Sequence, residues 1–231
     1  MRRFWKTVSL EQGTYGHGIR LDGRVLKTPQ KAELYLPTRP LADAVVAEWE
    51  AVGESIDPIA MPMTGFANAA IDHVATDRLT FAAAIAAYAE NDAFCYRGDE
   101  GEALAARQQD VWGPWLAWAT RRYDVGFTIV HSVMHQPQPP ATLEALSAAV
   151  QVRGTFELAA MAKLAHLSGS LVAVLAIVER AGTAQELWQA SCHDELWQEE
   201  LWGSDHWALK NRADREAEFL AAARFLELLR G

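Results

Sequence analysis

The spacing of apolar and polar positions changes period near residue 60. Before it, Phe4, Val8 and Leu10 alternate imperfectly with polar residues, and Gly13, Gly16 and Gly18 then punctuate the chain as turn glycines. Ile19-Arg20-Leu21 and Arg24-Val25-Leu26-Lys27 flank Asp22-Gly23. Asp-Gly between two short alternating runs predicts a β-hairpin, because both central residues of its turn need positive φ. Thr28-Pro29 ends the second strand, and Leu34-Tyr35-Leu36 forms a third that Pro37 closes. Pro40 opens a helix in its first turn, where a missing N–H costs nothing. Leu41, Val45, Glu48 and Trp49 carry that helix to Gly53, and Pro58 and Pro62 break the chain again.

From Thr64 onward the spacing is helical. Ala70, Ile71 and Val74 suit one helix, and Phe81, Ile85 and Tyr88 a second. Leu104 to Tyr123 suits a third, with a kink or break expected at Gly113-Pro114. Trp112, Trp115 and Trp118, three apart, read as core residues there. Phe127 to His135 is rich in β-branched residues, and Pro137, Pro139 and Pro140 form a linker. Thr142, Thr183 and Ser204 are candidate N-caps, and Thr183 with Glu186 makes a capping box. Leu171–Val178 is apolar all round and should be central; this run of eight is far short of the about 20 residues a membrane span needs. The pattern predicts an α+β protein: a small N-terminal mixed strand/helix domain over residues 1–62, then a larger all-helical domain over 63–231.

Composition narrows the functional classes. Half of the 231 residues are apolar, which excludes a disordered chain. The net charge is −9, and residues 1–60 contribute none of it, carrying eight basic and eight acidic residues. That balance argues against a nucleic-acid partner, since phosphate binding needs clustered Lys and Arg. Cys95 and Cys192, far apart and outside any CxxC spacing, read as reduced thiols. The start, Met1-Arg2-Arg3-Phe4-Trp5-Lys6, has no apolar signal core, so a cytoplasmic location is expected. No glycine-rich phosphate loop and no HExxH occurs, so no cofactor and no metal is expected. His131 and His135 fall in a proline-terminated segment and read as surface residues rather than a metal pair. Ser168-Gly169-Ser170 lacks the nucleophile elbow and reads as a place where two helices approach closely. Asp72-His73 could supply a general base, or be a solvated or capping pair.

One stretch stands apart. Between Arg180 and Lys210 there is no Lys or Arg, but there are six acids (Glu186, Asp194, Glu195, Glu199, Glu200, Asp205) and four tryptophans (Trp188, Trp197, Trp202, Trp207). Read as one helix from Thr183 to Trp202 and ended by Gly203, it aligns Leu187, Ala190, Asp194, Trp197 and Leu201 on one face. Asp194 is then a carboxylate inside an apolar stripe. It is either a partly buried acid paired with an Arg or a helix N-terminus, or an acid that faces a partner protein. The opposite side, with Trp188, Cys192, Glu195, Glu199 and Trp202, either packs on another helix or forms an apolar, acidic docking surface.

Across the chain, Arg3-Phe4-Trp5-Lys6, Leu21-Asp22-Gly23-Arg24, Leu26-Lys27-Thr28-Pro29, Leu36-Pro37-Thr38, Leu41-Ala42, Glu48-Trp49, Pro62-Met63-Thr64 and Asn68-Ala69-Ala70-Ile71-Asp72 occur in order. Asp92 with Tyr96-Arg97, Arg107-Gln108, Trp112, Pro114, Ser168-Gly169-Ser170, Gln198 and Trp202-Gly203 follow. Together they resemble the ATP synthase assembly-factor family that chaperones the alpha subunit of the catalytic sector, the "ATP-twelve" family. The resemblance implies a small N-terminal α+β domain before a helical one. It also implies a non-enzymatic chaperone that binds the unassembled alpha subunit, shields its beta-contacting surface and leaves on assembly. The family's essential acid in the late helix falls at Asp194 or Glu195, with Asp194 the better register match. His206 departs from the acid that relatives often carry there. Lacking a targeting extension before the first motif, the chain is expected to be a bacterial cytoplasmic member, monomeric when free. The expected partner-binding residues are Asp194, Glu195, Glu199, Trp188, Trp202 and Trp207. Two rivals stay open: an enzyme using Asp72/His73 or His193/Asp194, and a small-ligand binding module.

Overall fold

The computed structural model describes residues 2–14, 16–131 and 134–231. A small N-terminal sheet precedes a larger helical region. Four antiparallel strands make the sheet: β1 (Val8–Gly13), β2 (Gly16–Leu21), β3 (Arg24–Val25) and β4 (Tyr35–Leu36). β2 is central, pairing Val8 with Leu21 and Leu10 with Ile19 along β1, Arg20 with Val25 of β3, and His17 with Leu36 of β4. The predicted hairpin is present, with Asp22 at φ 48° and Gly23 at φ 80°. Asp22 has a second task, since its carboxylate accepts hydrogen bonds from the backbone N–H of Lys6 and Thr7 at 3.0 and 2.9 Å. Gly18 is not a turn glycine. It lies buried within β2, where a Cβ would come 2.9 Å from the Tyr35 ring.

Ten α-helices follow among the described residues. α1 (Arg39–Ala51) starts from Thr38, whose hydroxyl caps Leu41 N, and buries Leu41, Ala42, Val45 and Trp49. Glu48, on its last turns, reaches the start of α2 (Pro62–Asp72), accepting from Met63 N at 2.7 Å and Thr64 N at 2.8 Å. Burial raises the Glu48 pKa, which those donors oppose. α3 (Arg78–Ala86), α4 (Ala103–Tyr123), α5 (Pro140–Gln151), α6 (Thr155–Ser168) and α7 (Leu171–Val178) come next. The chain ends with α8 (Ala184–Ser191), α9 (His193–Trp202) and α10 (His206–Leu228).

Two compact units emerge. The first comprises residues 1–78, 154–160 and 221–231. Its core joins the sheet to α1, and Phe225 at the end of α10 packs between Phe66 (5.3 Å between ring centroids) and Phe156 (6.4 Å). Asp72 is buried in this unit, accepting from Thr28 Oγ1 at 2.6 Å and Gln30 N at 3.1 Å. Its carboxylate therefore pins the turn after β3, while His73 is exposed. The second unit comprises residues 79–153 and 161–220. Every residue of α7 is buried, as the sequence predicts, and α7 packs against α4 and α8.

Several local expectations are corrected. α4 runs unbroken through Gly113-Pro114, with Trp112, Leu116 and Ala119 buried along one side; burial of that face outweighs the hydrogen bond that Pro114 cannot make. Thr142 caps nothing, because Pro139 precedes α5 and the Thr142 hydroxyl donates to the Gly126 carbonyl. Asp205, not Ser204, caps α10, accepting from Trp207 N at 3.3 Å. Ser168-Gly169-Ser170 is the joint between α6 and α7, with Gly169 at φ 65° and Ser170 capping Ala173 N at 3.0 Å. The Thr183 and Glu186 capping box is formed as predicted. No helix among the described residues is long and apolar enough to cross a membrane.

Candidate interaction surface

The stretch from Thr183 to Trp202 is two helices, not one. α8 stops at Ser191, Cys192 takes φ −93° and ψ 7°, and α9 begins at His193. The apolar stripe is consequently graded along its length. Leu187 and Ala190 are buried, Asp194 and Trp197 are half-buried, and Leu201 is exposed. Cys192 is buried, and burial pushes its thiol up to about 12, so it is no nucleophile at neutral pH.

The acids of this stretch are not a free anionic face. Arg107 from α4 donates to Glu200 through both terminal guanidinium nitrogens, Nη1 and Nη2. Arg212 and Arg215 from α10 bond Glu199 and Glu195. Hydrogen bonding from Arg107 holds the Glu200 carboxyl below its usual range, and the hydrogen bonds that Arg215 donates to Glu195 raise the Arg215 guanidinium. Glu186 is committed to its capping box and Asp205 to the start of α10. Asp194 accepts from Gln108 Nε2 at 2.8 Å. The Arg107–Glu200 pair, the most exposed of these, contributes about 0–1 kcal/mol; the larger effect of the three arginine pairs is to cancel charge locally. The arginines lie just beyond the stretch in α10 or far away in α4, which is why a window free of basic residues reads as acidic in sequence.

The tryptophans separate into two groups. Trp188 is buried and tilts against Phe219 with ring centroids 5.3 Å apart, so the expected exposed anchor is a core residue. α8 is therefore packed on both sides, with Trp188 buried opposite the stripe residues Leu187 and Ala190. Trp197 is half-covered by the Arg107 guanidinium, 4.8 Å above its ring. Trp202 and Trp207 are 77% and 75% exposed. Leu201, which the sequence places on the stripe but not among the partner-binding residues, and Leu209, which it does not single out, are exposed as well at 55% and 38%. The sequence carries a partial signal for Leu201, which lies two residues before the Gly203 that ends α9, and none for Leu209 in α10. Trp202, Gly203, Ala208 and Leu209 line an open groove of about 500 Å³, with Glu195, Glu199, Arg212 and Arg215 as its charged wall.

The residues proposed for catalysis do not converge. His193 is 8% exposed, its Nε2 has no hydrogen-bond partner, and burial lowers its pKa. It lies edge-on to the Trp112 ring at 5.9 Å, and no hydrogen bond joins it to Asp194 among the described residues. Asp72, in the other compact unit, is committed to Thr28 and Gln30. His131 bonds the Gly98 carbonyl, and His135 meets Glu90 at 3.2 Å. No cluster of metal-ligating side chains occurs among the described residues.

Known proteins fit this architecture along the whole chain. The crystal structure of Atp12 from Paracoccus denitrificans superposes with a TM-score of 0.94 at 39% identity, covering 99% of this chain and 98% of that one. An Asp-to-Lys variant of the Paracoccus protein gives the same TM-score at 38% identity, over 99% and 97% of the two chains. An Agrobacterium tumefaciens protein described as a chaperone candidate also scores 0.94, at 38% identity over 99% and 86%. The class these structures define is an assembly-factor scaffold described in terms of chaperones. The ATP12 chaperone protein model matches residues 2–120, and the chain belongs to that family.

Proposed function

We propose that this protein is a non-enzymatic assembly chaperone for the free alpha subunit of the ATP synthase catalytic sector. It covers the surface that subunit later turns to the beta subunit, and is displaced on assembly. The observation that carries the reading is the exposure of Leu201, Trp202, Trp207 and Leu209 around the groove between α9 and α10. Large apolar side chains gathered on a soluble surface mark a contact site, and Trp is the residue most enriched at binding hot spots. Membership of a chaperone family supports the reading. The charged wall of Glu195, Glu199, Arg212 and Arg215 suits a client that must be held in one orientation yet released. Asp194 is proposed as a client-facing acid, and Trp202 and Trp207 as anchors. The protein is proposed to act in the bacterial cytoplasm as a monomer, since self-association would compete for the same surface.

Co-expression with the alpha subunit alone tests this. The subunit should co-purify with the chain and stay soluble under conditions where it aggregates unaided, and added beta subunit should displace the chain. Absence of both co-purification and protection overturns the assignment.

A further inference from the structure

Helix α9 carries four carboxylates, and three of them are bonded by arginines: Glu195, Glu199 and Glu200. Asp194 is the exception. Its Oδ1 accepts from a neutral amide, Gln108 Nε2, at 2.8 Å, and its Oδ2 takes no hydrogen bond from the described residues. Gln108 is only 2% exposed, and its other end is occupied, since Oε1 accepts from Gly98 N at 2.7 Å. That second bond fixes which way the amide points. With the oxygen turned to a backbone N–H, the NH2 group must face the carboxylate.

The buried cation in this region does not neutralise Asp194 by contact. Arg97 is 6% exposed, donates to the Phe94 carbonyl and lies 4.8 Å over the Trp112 ring, while its Nε and Nη2 have no partner. It senses the Asp194 charge only through the field. Arg107, on the same helix as Gln108, is taken by Glu200. His193, next to Asp194 in sequence, lines a cleft of about 260 Å³ between α4 and α9 with Arg107, Leu196, Trp197 and Glu200 among others, and its Nε2 has no partner among the described residues.

We infer that Gln108 is a positioning residue that presents the Asp194 carboxylate, still charged and with one oxygen open, to a Lys or Arg side chain of the client. A carboxylate held from a buried, fixed amide loses little rotamer freedom on contact, so the cation meets a preset acceptor. Supplying it from neutral Gln rather than from Arg leaves the negative charge available for orientation and on-rate. This rests on the chaperone reading above and adds the chemistry of one contact to it.

Binding to free alpha subunit, measured at low and at high ionic strength, tests the inference. Asp194→Asn keeps an oxygen for Gln108 and removes only the charge. It should bind at least about tenfold more weakly at low salt, with a shallower salt dependence and an unchanged unfolding midpoint. Gln108→Glu keeps the Gly98 contact but sets two carboxylates against each other. It should bind weakly at neutral pH and recover as pH falls, because a like-charge pair then shares one proton and regains its hydrogen bond. Wild type should show no such recovery. If wild type binds and Asp194→Asn binds equally well at both salts, or Gln108→Glu gains nothing on acidification, the inference is overturned while the chaperone reading stands. If wild type itself fails to bind, the chaperone reading falls and takes the inference with it.

Discussion

The indole N–H of Trp112 donates to the carbonyl of Ala190 at 2.7 Å, inside the core of the second compact unit. Cys192 N closes α8 on the Trp188 carbonyl at 3.0 Å. In an uninterrupted helix the Ala190 carbonyl would serve the N–H of residue 194. Here Trp112 takes it, and the regular ladder resumes with Leu196 N on Cys192 O at 3.0 Å. Trp112→Phe keeps the ring and removes the donor, so it should cost about 1–3 kcal/mol. Trp112→Ala should cost about 3–5 kcal/mol because it also opens a cavity. Denaturant midpoints for the two variants check the ordering, and equal midpoints would show that the hydrogen bond adds nothing.

The tryptophans of the late helices should divide cleanly on mutation. Trp188 is 2% exposed, and Trp188→Ala is expected to lose about 3–5 kcal/mol of stability. Trp202→Ser and Trp207→Ser alter side chains 77% and 75% exposed, and should change stability by no more than about 0.5 kcal/mol. The latter two should weaken capture of the alpha subunit, alone and more so together. A double variant that protects the subunit as wild type does would remove this groove from the contact.

Much of this fold is legible in local chemistry. Asp22-Gly23 declares its hairpin because both residues need positive φ, and Thr183 with Glu186 declares a helix start because each side chain serves a nearby backbone group. Leu171–Val178 declares a buried helix because it offers no polar face. What the sequence hides is long-range. The break at Cys192 is tied to a donor 78 residues away. The acids of α9 look free because Arg107, 93 residues from Glu200, is invisible at that distance along the chain. Spacing put Asp194 and Trp197 on one face correctly, but it could not say that Gln108 and Arg107 would cover that face. Hydrophobicity alone could not separate Trp188 from Trp202, whose difference is position relative to the helix break and the terminal glycine.

Gly16 is held by space and by conformation together. At φ 121° a Cβ would sit 2.4 Å from the Leu36 carbonyl oxygen. Gly16→Ala should therefore push β4 off β2 and cost more than about 2 kcal/mol, the strain of a disfavoured φ adding to the clash. Gly23, at φ 80° with nothing within 4 Å of a built Cβ, is the control. Gly23→Asn should be close to neutral, because Asn tolerates this region of the backbone. Thermal unfolding of the pair gives the test, and a Gly16→Ala protein as stable as Gly23→Asn would refute the packing argument.

Asp92 gives the protein a pH dependence of definite sign. It is completely buried, and its oxygens accept from Phe94 N at 3.0 Å and Val172 N at 2.9 Å, tying the turn before Phe94 to the start of α7. Burial outweighs those donors and raises its pKa from 3.8 to about 6. The folded state therefore binds this proton more tightly than the unfolded chain does. Between pH 3.8 and about 6 the native state holds more protons, so this group's contribution to stability is full at the low end and is lost as pH rises through the window. Asp92→Asn removes the titration. The difference in unfolding free energy, wild type minus variant, should fall by up to a few kcal/mol across the window and stay level above it. A difference that instead grows with pH would mean the helix N-terminus and its N–H donors hold Asp92 ionised in the fold, reversing the sign.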